Sequence, residues 1–148
     1  MINTHFCTLH SKIQKYFMSA PIEIVRPWID KADHDFGSAK IIFLHMPEYF
    51  DTIAFHCQQA AEKYIKAILV HKEIDFDRSH DLFYLLELIP SIITVTEDKY
   101  RKAQLLNGFS VQIRYPNKIE YMSKPEIEEA ISIAQEFRSF AIEIIGNL

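Results

Sequence analysis

From Ala54 to Leu69 the chain reads as one amphipathic helix, and this stretch limits the fold more than any other. Its small and apolar residues Ala54, Cys57, Ala61, Tyr64 and Ile68 fall three and four positions apart, the repeat of a helix that buries one stripe. On another side Phe55, Gln59, Glu62, Lys63 and Lys66 recur at the same spacing, so hydrogen-bonding and charged groups stand in one row. Such a row is either a solvated face or the wall of a site.

The segments on both sides repeat the helical period. A first helix is expected from Pro27, a residue suited to a first turn, to about His45, with Trp28, Ala32, Phe36 (or Asp35), Ala39 and Phe43 as its buried stripe. Asp30, Asp33 and Asp35 fall in its first half, where Asp30 and Asp33 read as complements of the helix dipole. The central helix runs from about Glu48 to Lys72. After a polar loop, Ser79 caps a short helix carrying Leu82, Leu85, Leu86 and Ile89 before Pro90. Thr94 with Glu97 forms a capping box for a fourth helix through Tyr100, Ala103, Leu106, Phe109 and Ile113. Ser123, Pro125 and Glu126 open the last, which presents Ile127, Ala130, Ile131, Ala134, Phe137, Ala141 and Ile144 before Gly146.

Three glycines in 148 residues are few for a β-rich fold with tight turns. The expectation is an all-α, up-and-down helical bundle of four long helices plus one short helix. Residues 1–20 form an N-terminal extension and 21–148 one helical domain. In the extension Phe6, Leu9, Ile13 and Phe17 suit either a short docked helix or a mobile arm, and Met18 is an alternative start.

Composition narrows the partners. A 49% hydrophobic, 24% charged chain of this length builds one sizeable core, and a net charge of −4 disfavours nucleic acid or membrane held by the whole surface while permitting a local basic pocket. Two cysteines, Cys7 and Cys57, indicate neither a disulfide framework nor a thiolate metal site, so a reducing compartment is expected. No apolar run approaches the roughly 18 residues of a membrane span, and the first residues lack a secretory signal. The expected location is the cytoplasm.

Several chemistries find no residues. Isolated glycines form no phosphate-binding loop. The histidines, among them His5, His10, His34, His45, His56 and His71, show no zinc-ligand spacing on one helix face. Asp33-His34-Asp35-Phe36-Gly37 lacks the later ligands of a calcium loop, and no glycine-flanked serine elbow occurs. No metal and no cofactor are expected.

What remains is the polar row together with His80-Asp81, Arg114, Asn117 and Tyr121. Arg114 is either a helix-end charge, paired with Asp81 or Glu62, or a guanidinium clamp for phosphate. His80 and Asp81 suit the first turn of the short helix as well as a site. Glu62 and Lys66, taken alone, read as an exposed i,i+4 ion pair.

Gln59-Ala60-Ala61-Glu62-Lys63-x-x-Lys66-Ala67, then His80-Asp81-Leu82 with Leu85-Leu86, then Arg114-Tyr115-Pro116, preceded by Trp28, Ala32, Asp35 and Ala39, resembles the HEPN domain (higher eukaryotes and prokaryotes nucleotide-binding) over about residues 25 to 145. The resemblance implies a homodimer, often encoded beside a minimal nucleotidyltransferase, in a toxin-antitoxin-like or substrate-binding role. Ribonuclease toxins of this family carry an Arg, four to six residues and a His. Arg114 matches the arginine, but Tyr115, Pro116, Asn117, Lys118, Ile119, Glu120 and Tyr121 supply no histidine. Without that imidazole the general acid or base for a ribose 2′-hydroxyl is missing.

The resemblance therefore implies the non-catalytic branch marked by Arg114-Tyr115-Pro116. In it Gln59, Glu62, Lys63, Lys66, His80, Asp81, Arg114 and Asn117 would hold a nucleotide, and the missing histidine weighs against ribonuclease activity of the toxin type without deciding whether the chain is an enzyme. Tyr121 lies where some toxins of the family carry a tyrosine modified by the partner; its plainer reading is a loop aromatic closing the bundle end. Two alternatives stay open. One is a divergent metal-independent ribonuclease using Arg114 and His80, with RNA as partner; the other is a dimerisation or interaction module with no ligand.

Overall fold

The computed structural model describes residues 19–114 and 122–146, with side chains through 109 and from 122. It contains helices α1 (Ile22–His45), α2 (Phe50–His71), α3 (Leu82–Glu87), α4 (Glu97–Arg114) and α5 (Lys124–Ile145), and no strand among the described residues. The expected all-α class and the division into four long helices and one short one are both present. No helix among the described residues is long and apolar enough to cross a membrane.

Helix α2 is the axis of the bundle and packs against each of the other four. The sequence reason is its run of alanines, Ala54, Ala60, Ala61 and Ala67, all fully buried, which lets neighbouring backbones approach. Between Ala60 and Leu69 every residue except Lys63 is buried. The single stripe expected here thus widens to nearly the whole circumference, as a helix surrounded by partners requires. By contrast α1 buries one stripe, Val25, Ile29, Ala32, Phe36 and Ala39, at steps of four and three.

Three expected helix starts move. Helix α1 begins at Ile22, after Pro21, so Pro27 lies inside it. Val25 extends the buried stripe a turn earlier, and the Ala20 amide, donating to the His71 carbonyl at 2.9 Å, fixes the entry of the chain against the end of α2. Pro27 has no amide hydrogen, so the Glu23 carbonyl lacks its usual donor four residues on; Pro27 is exposed, where water can replace it.

Asp30 and Asp33 consequently sit beyond the first turn, outside the reach of the dipole. Asp33 instead accepts from Tyr64 Oη on α2 and, at 2.8 Å, from Arg138 Nε on α5, joining three helices. Burial, then this carboxylate, pushes the Tyr64 hydroxyl well above its ordinary pKa.

The cap of α3 is Asp81 rather than Ser79. Its Oδ1 accepts from the amides of Phe83 (2.9 Å) and Tyr84 (3.4 Å), while Ser79 Oγ accepts from the Asp81 amide. At α4 the hydroxyl that accepts, from the Lys99 amide at 3.3 Å, belongs to Thr96, two residues past the expected Thr94. At α5 the capping box is as expected: Ser123 Oγ accepts from the Glu126 amide, and Glu126 Oε2 accepts from the Ser123 amide at 2.6 Å. That backbone bond, then the serine hydroxyl, holds the Glu126 carboxyl below its ordinary value.

Candidate functional site

The polar row on α2 turns out to be two ion pairs joined by an amide. Glu62 is 4% exposed and Lys66 7%, so this pair is buried and not the exposed one that its i,i+4 spacing suggests. Lys66 Nζ donates to Glu62 Oε1 at 2.7 Å. On the other oxygen, His80 Nδ1 lies 3.0 Å from Oε2, and the side-chain amides of Gln58 (3.3 Å) and Gln59 (3.4 Å) donate to the same atom.

A buried carboxylate is costly unless paired and hydrogen-bonded, and four donors on two oxygens meet that demand. Because a carboxylate only accepts, His80 carries its hydrogen on Nδ1, which leaves Nε2 as the other nitrogen of a side chain 64% exposed. Gln58 Nε2 also donates to the His80 carbonyl at 3.0 Å, tying backbone and ring of this residue to α2.

Further along the row Lys63 Nζ donates to Asp35 Oδ2 of α1 at 2.6 Å, and His56 Nδ1 lies 3.0 Å from Asp35 Oδ1. Gln59 connects the two groups. Its amide nitrogen donates to Gln58 Oε1 (2.8 Å), and its oxygen accepts from Lys63 Nζ (3.0 Å). Lys63 and Lys66 are thus each matched by a carboxylate, and any surplus of positive charge must come from other residues.

Of the residues expected at a site, Gln59, Glu62, Lys63, Lys66 and His80 fall in this one network. Asp81 does not join it. Its Oδ1 caps α3 and accepts from Asn107 Nδ2 of α4 at 2.8 Å, while Asn107 Oδ1 accepts from the Leu82 amide at 3.1 Å. Arg114 is the last described residue of α4, and its side chain lies outside the described residues, as do Asn117 and Tyr121. Gln58, Asp35, His56 and Asn107 were not expected here. Gln58 stands one turn before Glu62, a spacing that places both on one face of α2, whereas Asn107 meets Asp81 from 26 positions away, which no local spacing announces.

Cys57, by contrast, is packing. Burial pushes its thiol up to about 12, so no thiolate forms at neutral pH.

The chain is thus an all-α bundle organised on an alanine-rich central helix, with Glu62, Lys66 and His80 drawn together beside the start of the short helix. The HEPN domain model matches residues 25–145, and the chain belongs to that family. Two solved structures share the fold. One is TT1696 from Thermus thermophilus, 25% identical, with a TM-score of 0.72 over 81% of this chain and 97% of that one. The other is ST0689, described as an archaeal HEPN homologue, also 25% identical, with a TM-score of 0.68 over 82% of this chain and 98% of that one. No curated protein matches the sequence.

Proposed function

We propose that the chain is a nucleotide-binding HEPN module, working as a homodimer beside a separate minimal nucleotidyltransferase. The observation that carries this reading is the buried Glu62, whose four donors fix the His80 ring at the surface where α2, α3 and α4 adjoin. In this reading Glu62, Lys66 and Asp81 hold the frame. Lys63, held by Asp35, belongs to that frame as well; His80 Nε2 and the amides of Gln59 and Asn117 meet the sugar or base, while Arg114 meets phosphate. Tyr121 is the position for modification by the partner.

Calorimetry with the common ribonucleotides tests it. Arg114→Ala and His80→Ala are each expected to weaken binding about tenfold, the scale of one charge-assisted hydrogen bond. His80→Ala also takes one donor from the buried Glu62, so a modest fall in melting temperature is expected beside the loss of binding, smaller than for removal of Lys66 because Lys66, Gln58 and Gln59 remain on the carboxylate. Unchanged affinity in both variants rejects the site.

The same imidazole favours a second reading. A histidine oriented by a buried carboxylate has the arrangement of a general base. Cleavage of RNA by the purified protein, lost in both His80→Ala and Arg114→Ala, would make it a metal-independent ribonuclease; absence of cleavage in the wild type removes that reading.

A further inference from the structure

At the Lys63 end of the row the bundle surface carries a hollow of about 210 Å³, lined by Pro27, Trp28, Lys31 and Lys63. Its lining is almost wholly apolar. The Lys63 ammonium is committed to Asp35 and Gln59, so its methylene stem serves as wall rather than its charge. Pro27 adds a rigid apolar edge, and its missing amide hydrogen leaves the Glu23 carbonyl as an acceptor one turn away.

The half-buried indole of Trp28 is held by Phe76, whose ring meets it edge-on at 5.9 Å and 78°. Phe76 in turn lies under Lys66 Nζ, 5.6 Å from its ring centre, so the hollow and the buried Glu62 pair share one supporting loop. Lys31 stands four residues after Pro27 and three after Trp28, on the same helix face. It is exposed and makes no ion pair among the described residues.

Size and chemistry select the occupant. Pockets for whole ligands run to roughly 300–1,000 Å³, so this hollow suits one planar ring system with the rest of the molecule outside. An indole offers a stacking surface to any base, and an unpaired ammonium beside it attracts an anion attached to that ring. We propose that the hollow takes the base of a nucleotide, stacked on Trp28, with its phosphate on Lys31. This rests on the nucleotide-binding reading and adds to it a second site, for another nucleotide, on the α1 side of the polar row and apart from the one at His80 and Arg114.

Trp28 is the single tryptophan of the chain, so its fluorescence reports on the hollow alone. The test titrates the full chain with the four ribonucleoside 5′-monophosphates and the matching nucleosides, following emission and heat on the same samples. Quenching is expected at the midpoint that calorimetry gives. Lys31→Glu should raise that midpoint about tenfold for the monophosphates and leave it in place for the nucleosides. Trp28→Ala should weaken both; where it fails to fold, the Lys31 comparison decides.

Heat without quenching, or a Lys31→Glu variant that binds the monophosphates as the wild type does, overturns the ring site and leaves nucleotide binding standing. No heat with any of the eight compounds overturns both.

Discussion

Two helices of this bundle carry an acid followed four residues later by a lysine, and the pairs differ in almost everything except spacing. On α2, Glu62 and Lys66 are 2.7 Å apart with side chains 5% and 9% exposed. On α4, Asp98 and Lys102 are 2.6 Å apart with side chains 53% and 18% exposed. The distances would rank them equal, but the surroundings do not. Around Asp98 water screens the attraction, and Arg101 competes for the same carboxylate at 2.9 Å. Around Glu62 burial leaves solvent little access to replace a lost partner, so the pair works as a constraint: removing one member leaves the core to accommodate an unmatched ion.

The strongest test of this difference is to remove one member of the buried pair. Lys66→Met keeps volume and apolar packing against Phe76, yet leaves Glu62 with neutral amides and His80. We expect a loss of about 3 kcal/mol in unfolding free energy, the lower end for breaking a buried pair because the donors from Gln58, Gln59 and His80 remain on Glu62. Denaturant unfolding reads it. The double variant Glu62→Gln/Lys66→Met should recover more than half of that loss, since the buried charge goes with its partner. A single variant as stable as the wild type would mean that the pair is solvated and that the contrast between α2 and α4 is false.

Why the contrast was hidden in the sequence follows from the distances involved. The i,i+4 pairing of Glu62 with Lys66 is legible because both members lie on one turn. Their burial is set by residues remote in sequence: Phe76 lies against Lys66, and His80 approaches Glu62 from 18 positions away. The bonds that join Lys63 to Asp35, Tyr64 to Asp33 and Arg138 to Asp33 span 28, 31 and 105 positions, and no local pattern announces them. The α5 cap was legible because Ser123, Pro125 and Glu126 complete it within four residues. At α4 the same logic misplaced the start by two residues, because Thr94 and Thr96 offer the same hydroxyl and only the backbone path chooses between them. Pro27 misled in the other direction: suited to a first turn, it is tolerated inside α1 because its side faces solvent and Val25 anchors the turn before it.

The α5 cap supplies an intermediate case, an exposed carboxylate whose partner is backbone rather than a mobile lysine. Ser123→Ala is expected to cost about 1 kcal/mol at neutral pH, because a helix amide then loses its acceptor and the box its reciprocal half. The pH dependence has a definite sign. Glu126 is held below its ordinary 4.5 in the folded protein, so its contribution is present above that value and lost as pH falls through the lower, folded one. The difference between wild type and Ser123→Ala should therefore narrow in acid. A gap that widens there would assign the cap to some other group.

The smallest effect is expected on α4. Asp98→Ala should leave the denaturation midpoint unchanged within error, even though Lys102 and then Arg101 hold that carboxyl below its ordinary value. Such a shift records attraction at an exposed site, where solvent offers nearly the same stabilisation to the free ion. Lys102 is not a clean partner for a single deletion, since its Nζ also bonds Glu136 of α5 at 2.6 Å. A double-mutant cycle of Asp98→Ala with Lys102→Ala isolates the pair and should return a coupling near zero that vanishes in molar salt, where the screening length falls to about 3 Å. The corresponding cycle on Glu62 and Lys66 should keep most of its coupling in the same salt, because buried pairs are screened much less than exposed ones. Equal salt sensitivity in the two cycles would place both pairs in the same medium, and burial would then cease to distinguish them.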